Sequence, residues 1–207
     1  MAWDCATGNG QAARSLAPHF TNVVATDASA EQIAAAEPTD AVEFCVARAE
    51  ESDLESASVD LITVAQALHW FDVEAFFAEA SRALKRGGVL AFWIYHNCQV
   101  DPECDEIIDA LFAKVDAFWP TERDIVENGY PDIAMPFTEI PTDEFSMTTE
   151  WTAENALNYM RTWSATRRYL AENGNDPCDE FVDELRSRWG NGTRTVSWPL
   201  ILRVGRK

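Results

Sequence analysis

Residues 4–13, DCATGNGQAA, give the clearest indication of the fold, because they place a glycine-rich turn between a strand-like and a helix-like segment. Residues 2–5 are predicted to be a short apolar strand and residues 11–18 a helix. Gly8 and Gly10 let the backbone approach a ligand closely, and the helix N-terminus offers unpaired N–H groups. The stretch therefore predicts either a ligand-binding loop or a purely structural tight turn.

Downstream of this loop, strand-like and helix-like patterns alternate through the first half of the chain. Residues 59–65 (VDLITVA) form a near-continuous apolar run, as expected of a central parallel strand that is covered on both faces. Strands separated by helices imply right-handed βαβ units, so we expect an α/β, Rossmann-like, mostly parallel sheet with helices on both faces. The other predicted strands are 22–26, 42–47 and 89–95, the helices are 29–37 (with Ser29 as N-cap) and 72–84, and a turn is predicted at 85–88.

The second half of the chain is predicted to be mainly helical and to end in one more strand. We expect a single domain with a cofactor-binding core at residues 1–99, a helical lid and substrate region at 100–191, and a closing strand at 192–207. The predicted elements here are helices at 105–118, 152–172 (capped by Thr152) and 179–189, a strand within 137–149, and a strand at 193–204 in which Pro199 marks an edge or bulge.

The charge of the chain argues against two classes of partner. Its 35 acidic residues outnumber 16 basic ones, which gives a formal net charge of −19. A protein this acidic repels phosphate backbones and anionic lipid headgroups, so we expect neither nucleic acid nor membrane as a partner. The oligomeric state stays open.

The cysteines and acidic clusters suggest neither disulfides nor a metal site. The five cysteines form no CxxC pair and no zinc spacing, which favours reduced thiols in a cytoplasmic protein. Asp101, Glu103 and Asp105 match no standard metal spacing, and we expect a solvated acidic loop there, with no metal bound.

Asp27 strengthens the case for a ligand at the glycine-rich loop. It lies at the end of the second predicted strand, where a carboxylate can accept hydrogen bonds from both hydroxyls of a ribose. Residues 8–13 (GNGQAA) also satisfy the G-x-G-x-x-G/A pattern of dinucleotide-binding enzymes. An NAD-dependent oxidoreductase is therefore one interpretation of the loop.

Four motifs in order resemble those of class I S-adenosylmethionine-dependent methyltransferases, and most nearly the type 11 methyltransferase domain of trans-aconitate-methyltransferase-like proteins. The resemblance covers residues 1–95 motif by motif and extends less specifically to RTWSATRRY and WPLILRVGR in the second half. It implies S-adenosyl-L-methionine as cofactor, a last strand that is antiparallel, and a small-molecule acceptor, for which we expect a carboxylic acid. The motifs are DCATGNGQAA (4–13), VVATDAS (23–29), VDLITVAQALHWFD (59–72) and LKRGGVLAFW (84–93).

The resemblance also implies roles for residues at the strand ends. Ala6 stands where the family usually has its first glycine, and Arg48 stands where it often has an adenine-binding aspartate. The implied cofactor-binding residues are Asp4, Ala6, Gly8 and Gly10 around the methionine end, Asp27 on the ribose, Ala28 beside the adenosine, Ala49 and Glu50 along the adenine edge, and Ala65 and Gln66 beside the methionine amino group.

Methyl transfer from a sulfonium needs alignment of the acceptor and exclusion of water more than it needs a strong base. His69 is a candidate general base for a hydroxyl or amine acceptor, whereas a carboxylate acceptor needs none. Trp70 and Trp163 are candidate substrate-binding rings, with core packing as the alternative. Arg167 and Arg168 could clamp a carboxylate, or could pair with surface acids instead.

Two alternatives to a methyltransferase remain. An NAD-dependent oxidoreductase shares the glycine loop but leaves QALHWF and LKRGG unexplained. A degenerate or truncated cofactor-binding domain without turnover is suggested by the short first strand and by Ala6. The family normally carries a helical segment before that strand, so we expect the chain to be N-terminally shortened.

Overall fold

The computed structural model describes residues 1–95, 97–120, 129–130 and 133–207 of the chain. The chain divides into two compact units. Their limits differ from those of the segments 1–99, 100–191 and 192–207 that the sequence suggested. The first unit comprises Met1–Tyr95, Asn128–Phe145 and Ile201–Lys207, and the second comprises His96–Glu127 and Ser146–Leu200.

The first unit is built on a mixed sheet of parallel and antiparallel strands. The strands of the chain are β1 Ala2–Cys5, β2 Val23–Asp27, β3 Val42–Val46, β4 Val59–Ala65, β5 Leu84–Tyr95, β6 Thr138–Ile140, β7 Phe145–Trp151 and β8 Arg194–Arg206. Their order in the sheet is β3-β2-β1-β4-β5-β8-β6. Strands β1 to β5 pair in parallel, whereas β6 pairs antiparallel with the last strand, β8. This confirms the predicted Rossmann-like, mostly parallel fold with an antiparallel final strand.

The core of the first unit surrounds its central strand. All four residues of β1 are buried, as expected of a strand with parallel neighbours on both sides. Trp3 is fully buried, and its indole N–H donates a hydrogen bond to the hydroxyl of Thr26 at 2.8 Å, so its single polar group is satisfied. The ring of Phe76 packs edge-on against Trp3 with 6.3 Å between centroids.

Three helices of the first unit follow β1, β2 and β4, and two of them have side-chain caps. Ser29 accepts a hydrogen bond from the backbone N–H of Gln32, which confirms the predicted N-cap. Asp72 accepts one from the N–H of Ala75 in the same way. The helices are α1 Gln11–Leu16, α2 Ala30–Ala34 and α3 Val73–Ala83.

The turn predicted at residues 85–88 is wrong, because β5 already begins at Leu84. Gly87 and Gly88 favour the prediction of a turn, but the backbone at these residues forms hydrogen bonds with the C-terminal residue of the chain. The N–H of Gly87 donates to the carbonyl of Lys207, and the N–H of Lys207 donates to the carbonyl of Gly88. A register shift against β4 accommodates the irregular backbone, in which Gly87 has φ +82°.

Helices dominate the second unit, and one of its predicted helices is in fact two. The helix expected at 152–172 is interrupted at Trp163, whose ψ of 137° is extended. Thr152 caps the first of the two helices through a capping box, as predicted. The α-helices are α4 Pro102–Lys114, α5 Ala153–Thr162, α6 Ser164–Asn173 and α7 Val182–Trp189, and short 3₁₀ turns cover Asp116–Phe118 and Pro177–Glu180.

The helix predicted at 105–118 begins three residues earlier, at Pro102, and ends at Lys114. Its N-cap is Asp101, which accepts hydrogen bonds from the N–H groups of Glu103 and Cys104 and forms an ion pair with Arg194. The solvated loop predicted at Asp101, Glu103 and Asp105 is therefore wrong, because Asp101 caps α4 and the other two acids lie in its first turn. None of the helices in the described parts of the chain combines the length and the apolar character needed to cross a bilayer.

Candidate cofactor-binding site

The predicted cofactor residues follow strands that meet at one edge of the sheet. The chain runs outward from β1 in both directions, through β2 and β3 on one side and through β4 and β5 on the other. Ligands of open α/β sheets bind beyond the carboxyl ends of the strands at such a reversal of strand order. Cys5 lies opposite both Thr26 and Val64, so the loops that follow β1, β2 and β4 start side by side.

The loop after β1 winds through three left-handed backbone positions. Ala6, Gly8 and Gly10 have φ values of +54°, +58° and +88°. A Cβ atom on Gly10 would lie 2.6 Å from the ring of Phe44, so packing excludes a side chain there. A Cβ atom on Gly8 would meet nothing nearer than the side-chain oxygen of Gln32, at 3.8 Å. Packing against Phe44 therefore requires a glycine at position 10, whereas the space next to Gly8 is open.

Asp4 supports this loop from beneath. Its side chain is 1% exposed and accepts hydrogen bonds from the hydroxyls of Thr7 at 2.5 Å and Thr63 at 2.7 Å. Burial raises the pKa of this carboxyl, and the two threonine hydrogen bonds act in the opposite direction. Asp4 thus ties the start of the loop to β4, and its predicted role at the methionine end of the cofactor stays a prediction.

Asp27 joins the first two loops. Its Oδ2 accepts a hydrogen bond from the N–H of Gly8 at 2.9 Å, and its Oδ1 accepts one from the N–H of Ser29 at 2.8 Å. A carboxylate offers about four acceptor positions, so each oxygen can still accept one ribose hydroxyl. Ala28, the predicted neighbour of the adenosine, is exposed beside it.

Glu50 connects the loop after β3 with the segment before α3. Its Oε1 accepts a hydrogen bond from the N–H of Asp72 at 2.9 Å, and its Oε2 accepts one from Nε of Arg48 at 3.2 Å. The side chain of Arg48 is 73% exposed, while Ala49 between them is buried. The predicted adenine contacts of Ala49 and Glu50 stay predictions.

Gln66, which follows Ala65 at the end of β4, has its side chain bound to the end of β5. Its Oε1 accepts a hydrogen bond from the N–H of Tyr95 at 2.8 Å, and its Nε2 donates one to the carbonyl of Tyr95 at 3.1 Å. Its φ of +55° is left-handed, a conformation that non-glycine residues keep where surrounding structure holds it. The side chain of Gln66 therefore fastens this loop, and its predicted contact with the methionine amino group stays a prediction.

His69 and Trp70 lie in a 3₁₀ turn, Leu68–Trp70, directly after these residues. The side chain of Trp70 is 62% exposed, and its ring lies 4.8 Å from that of His69 between centroids. Nδ1 of His69 is 2.9 Å from the hydroxyl of Tyr130. Nothing in the sequence pairs Tyr130 with His69, because the two stand 61 residues apart and Tyr130 lies in no recognisable motif.

The remaining substrate candidates belong to the second unit. Trp163 is 7% exposed and packs among the rings of Phe112, Trp119 and Tyr159, with centroids 5.9–6.1 Å apart. This is the core packing that was the alternative to a substrate contact. Arg167 and Arg168 are both exposed on α6, and their predicted role in binding a carboxylate stays a prediction.

Comparison with known proteins identifies the family. Residues 3–92 match the family model described as a methyltransferase domain, type 11. A Dictyostelium discoideum protein named as a methyltransferase is 32% identical over 189 residues, which cover 89% of this chain and 72% of that protein. A Saccharomyces cerevisiae protein named as an S-adenosylmethionine-dependent methyltransferase is 24% identical over 226 residues, with 88% and 76% covered.

Solved structures agree with this family. A protein of Anaeromyxobacter dehalogenans described as a type II methyltransferase is 38% identical and superposes with a TM-score of 0.94, covering 99% of this chain and 88% of that one. The YcgJ protein of Bacillus subtilis, at 18% identity and a TM-score of 0.58 over 100% of this chain and 91% of its own, shares the fold. The chain therefore belongs to the class I S-adenosylmethionine-dependent methyltransferases that carry a type 11 methyltransferase domain.

Proposed function

We propose that this chain transfers a methyl group from S-adenosylmethionine to a small cytoplasmic molecule that bears a carboxylic acid. The observation that carries the proposal is the hydrogen bond from Gly8 to Asp27, which joins the glycine-rich loop to a carboxylate at the strand-order reversal, where a ribose would bind. The five free thiols favour a reducing compartment.

The residues at this edge fit S-adenosylmethionine. The open space over Gly8 admits the cofactor close to the backbone, and Asp27 retains acceptor positions for both ribose hydroxyls. When bound, S-adenosylmethionine supplies a methyl group that is already activated by the sulfonium charge. The protein has then to hold the acceptor in line with that methyl and to exclude water.

A carboxylic acid is the acceptor that the remaining chemistry favours. A carboxylate is itself a nucleophile, so no residue has to remove a proton from it. The net charge of −19 repels an acidic acceptor at long range, and local guanidinium groups are needed to bind it. Arg167 and Arg168, both exposed on α6, are the pair that we assign to this task.

The cofactor assignment is tested by titrating the purified protein with S-adenosylhomocysteine, S-adenosylmethionine and NAD in a calorimeter. We expect the first two to bind and NAD not to bind. Asp27→Ala should weaken binding by about ten- to a hundredfold, since a hydrogen bond to a charged group is worth about 1.5–3 kcal/mol.

Two further variants make the cofactor result interpretable. Asp27→Asn keeps the shape and one acceptor oxygen, and it should lose affinity less than Asp27→Ala does. Asp143→Ala removes an exposed carboxylate from another loop of the first unit and should leave affinity unchanged. Binding of Asp27→Ala within twofold of the natural protein would show that Asp27 does not hold the ribose, and binding of NAD alone would overturn the proposed function.

The acceptor class is tested by steady-state methylation of a pooled set of small mono-, di- and tricarboxylic acids and of their amides. Acids should be methylated and amides should not. Arg167→Ala and Arg168→Ala should raise KM for the acid and leave cofactor affinity unchanged, while Arg186→Ala, an exposed arginine on α7 that pairs with Glu154, serves as the control. Equal turnover of acids and amides would contradict the carboxylate assignment.

A further inference from the structure

Gln66 combines an unusual backbone conformation with a side chain that is bound twice to β5. Its φ of +55° is left-handed, a region that residues with side chains rarely occupy. Its Oε1 accepts a hydrogen bond from the N–H of Tyr95, and its Nε2 donates one to the carbonyl of Tyr95. Its backbone N–H donates to the carbonyl of Trp93 at 2.9 Å. Three hydrogen bonds to β5 therefore hold Gln66 in this conformation.

These hydrogen bonds fix the direction of the peptide group between Ala65 and Gln66. No peptide bond among the described residues is cis, and in a trans peptide the N–H and the C=O point in opposite directions. The N–H of this group points to Trp93 in β5. The carbonyl of Ala65 therefore points to the other side of β4, where β1 lies.

The chain that follows β1 turns away from this carbonyl. Regular parallel pairing of β1 with β4 would bring the N–H of Thr7 to the carbonyl of Ala65. Instead, Ala6 has a left-handed φ of +54°, and the N–H of Thr7 donates to the carbonyl of Thr26 in β2 at 2.9 Å. The carbonyl of Ala65 thus faces the start of the glycine-rich loop without the donor that a regular continuation of β1 would supply.

A carbonyl oxygen accepts hydrogen bonds, so a ligand that binds it has to present a donor. The methionine end of S-adenosylmethionine carries an ammonium, which is a donor, and a carboxylate, which a carbonyl repels. We propose that Gln66 is a positioning residue whose side-chain amide fastens the end of β4 to β5 and so holds the Ala65 carbonyl toward the ammonium of the cofactor. The inference rests on the proposed function, and it replaces the expectation that Gln66 itself contacts the amino group.

Loss of the Gln66 amide would allow this peptide group to turn over. A flip of the peptide group changes ψ of Ala65 and φ of Gln66 together, so the left-handed φ relaxes as the carbonyl turns away from the loop. The two hydrogen bonds to Tyr95 oppose this relaxation. They therefore act on the cofactor through the Ala65 carbonyl and not by direct contact.

The test compares two ligands in each protein by calorimetric titration. One is S-adenosylhomocysteine, and the other is its deaminated analogue, which keeps the carboxylate and lacks the ammonium. The natural protein should bind S-adenosylhomocysteine about ten- to a hundredfold more tightly than the analogue, because the analogue lacks a hydrogen bond from a charged group. Since both ligands are measured in the same protein, the ratio of the two affinities is insensitive to a loss of folded protein.

Two variants of Gln66 should lower this ratio. Gln66→Met keeps the length of the side chain without its amide, and the ratio should fall to about threefold or less, while affinity for the analogue stays within about twofold. Gln66→Asn is the milder variant, because asparagine tolerates a left-handed φ, yet its amide is one carbon too short to reach Tyr95 in the same way. Its ratio should fall less. Gln99→Ala removes an exposed amide from the second unit and should leave the ratio unchanged.

Three results would decide against the inference or its basis. A ratio below about twofold in the natural protein would show that the ammonium has no such acceptor, and this measurement needs no variant to fold. An unchanged ratio in Gln66→Met or, if that variant does not fold, in Gln66→Asn would show that the side chain of Gln66 does not position the carbonyl. Absence of binding of both ligands to the natural protein would instead overturn the proposed function, so the two failures are distinguishable.

Discussion

Ala6 occupies a backbone conformation that suits glycine, and replacing it tests the geometry of the cofactor loop. Its φ of +54° brings the methyl group close to the following carbonyl oxygen. A left-handed conformation costs an L-residue about 1–2 kcal/mol, and glycine is free of that cost. Ala6→Gly should therefore relieve strain in the folded protein.

The net gain is smaller, because glycine also makes the unfolded chain more flexible. That effect favours unfolding by about 0.4–1 kcal/mol. The difference predicts that Ala6→Gly raises the free energy of unfolding by about 0.5–1 kcal/mol. For a chain of 207 residues this corresponds to a rise in Tm of about 1–4 °C.

Thermal unfolding followed by calorimetry measures this change, and two other alanines calibrate it. Ala57 also has a left-handed backbone, with φ +52°, so Ala57→Gly should stabilise the protein by a similar amount. Ala78 is exposed in the middle of α3, where glycine should cost about 1 kcal/mol. If Ala6→Gly lowers the Tm as Ala78→Gly does, then Ala6 does not have a left-handed backbone conformation.

Two further predictions concern stability. Gly10→Ala should lower the free energy of unfolding by about 1–3 kcal/mol in urea titrations, because its Cβ would lie 2.6 Å from the ring of Phe44, and a Phe44→Leu background should recover part of the loss. The Arg82 guanidinium, together with Ser52, holds the pKa of Glu79 down to about 2, so the stability that Glu79 contributes is present above its unfolded pKa and lost as the pH falls from about 5 to about 2. In acid titrations followed by circular dichroism, Glu79→Gln should lack that part of the loss in free energy of unfolding. The missing part is on the order of 2 kcal/mol, because Arg82 is partly exposed. An identical acid transition in both proteins would refute this role of Glu79.

The sequence predicted those elements whose signals are local. Strand β4 matches the apolar run at 59–65 to the residue, and Ser29 caps α2 as its position before Gln32 indicated. The prediction failed where contacts with residues far away along the chain decide the local structure. The glycines at 87 and 88 look like a turn, but pairing with Lys207 keeps them in a strand. The helix predicted at 152–172 is interrupted at Trp163, whose ring packs in an aromatic cluster.

The same division holds for the candidate site. The sequence predicted that Asp4, Gly8, Gly10 and Asp27 lie at one edge of the sheet, because each stands at the end of a strand or in the turn after it, and parallel strands bring such ends together. Tertiary structure alone pairs Gln66 with the backbone of Tyr95 across 29 residues, and His69 with Tyr130 across 61. A hydrogen bond between residues so far apart depends on how strands and loops pack in space, and no periodicity or spacing along the chain encodes that arrangement.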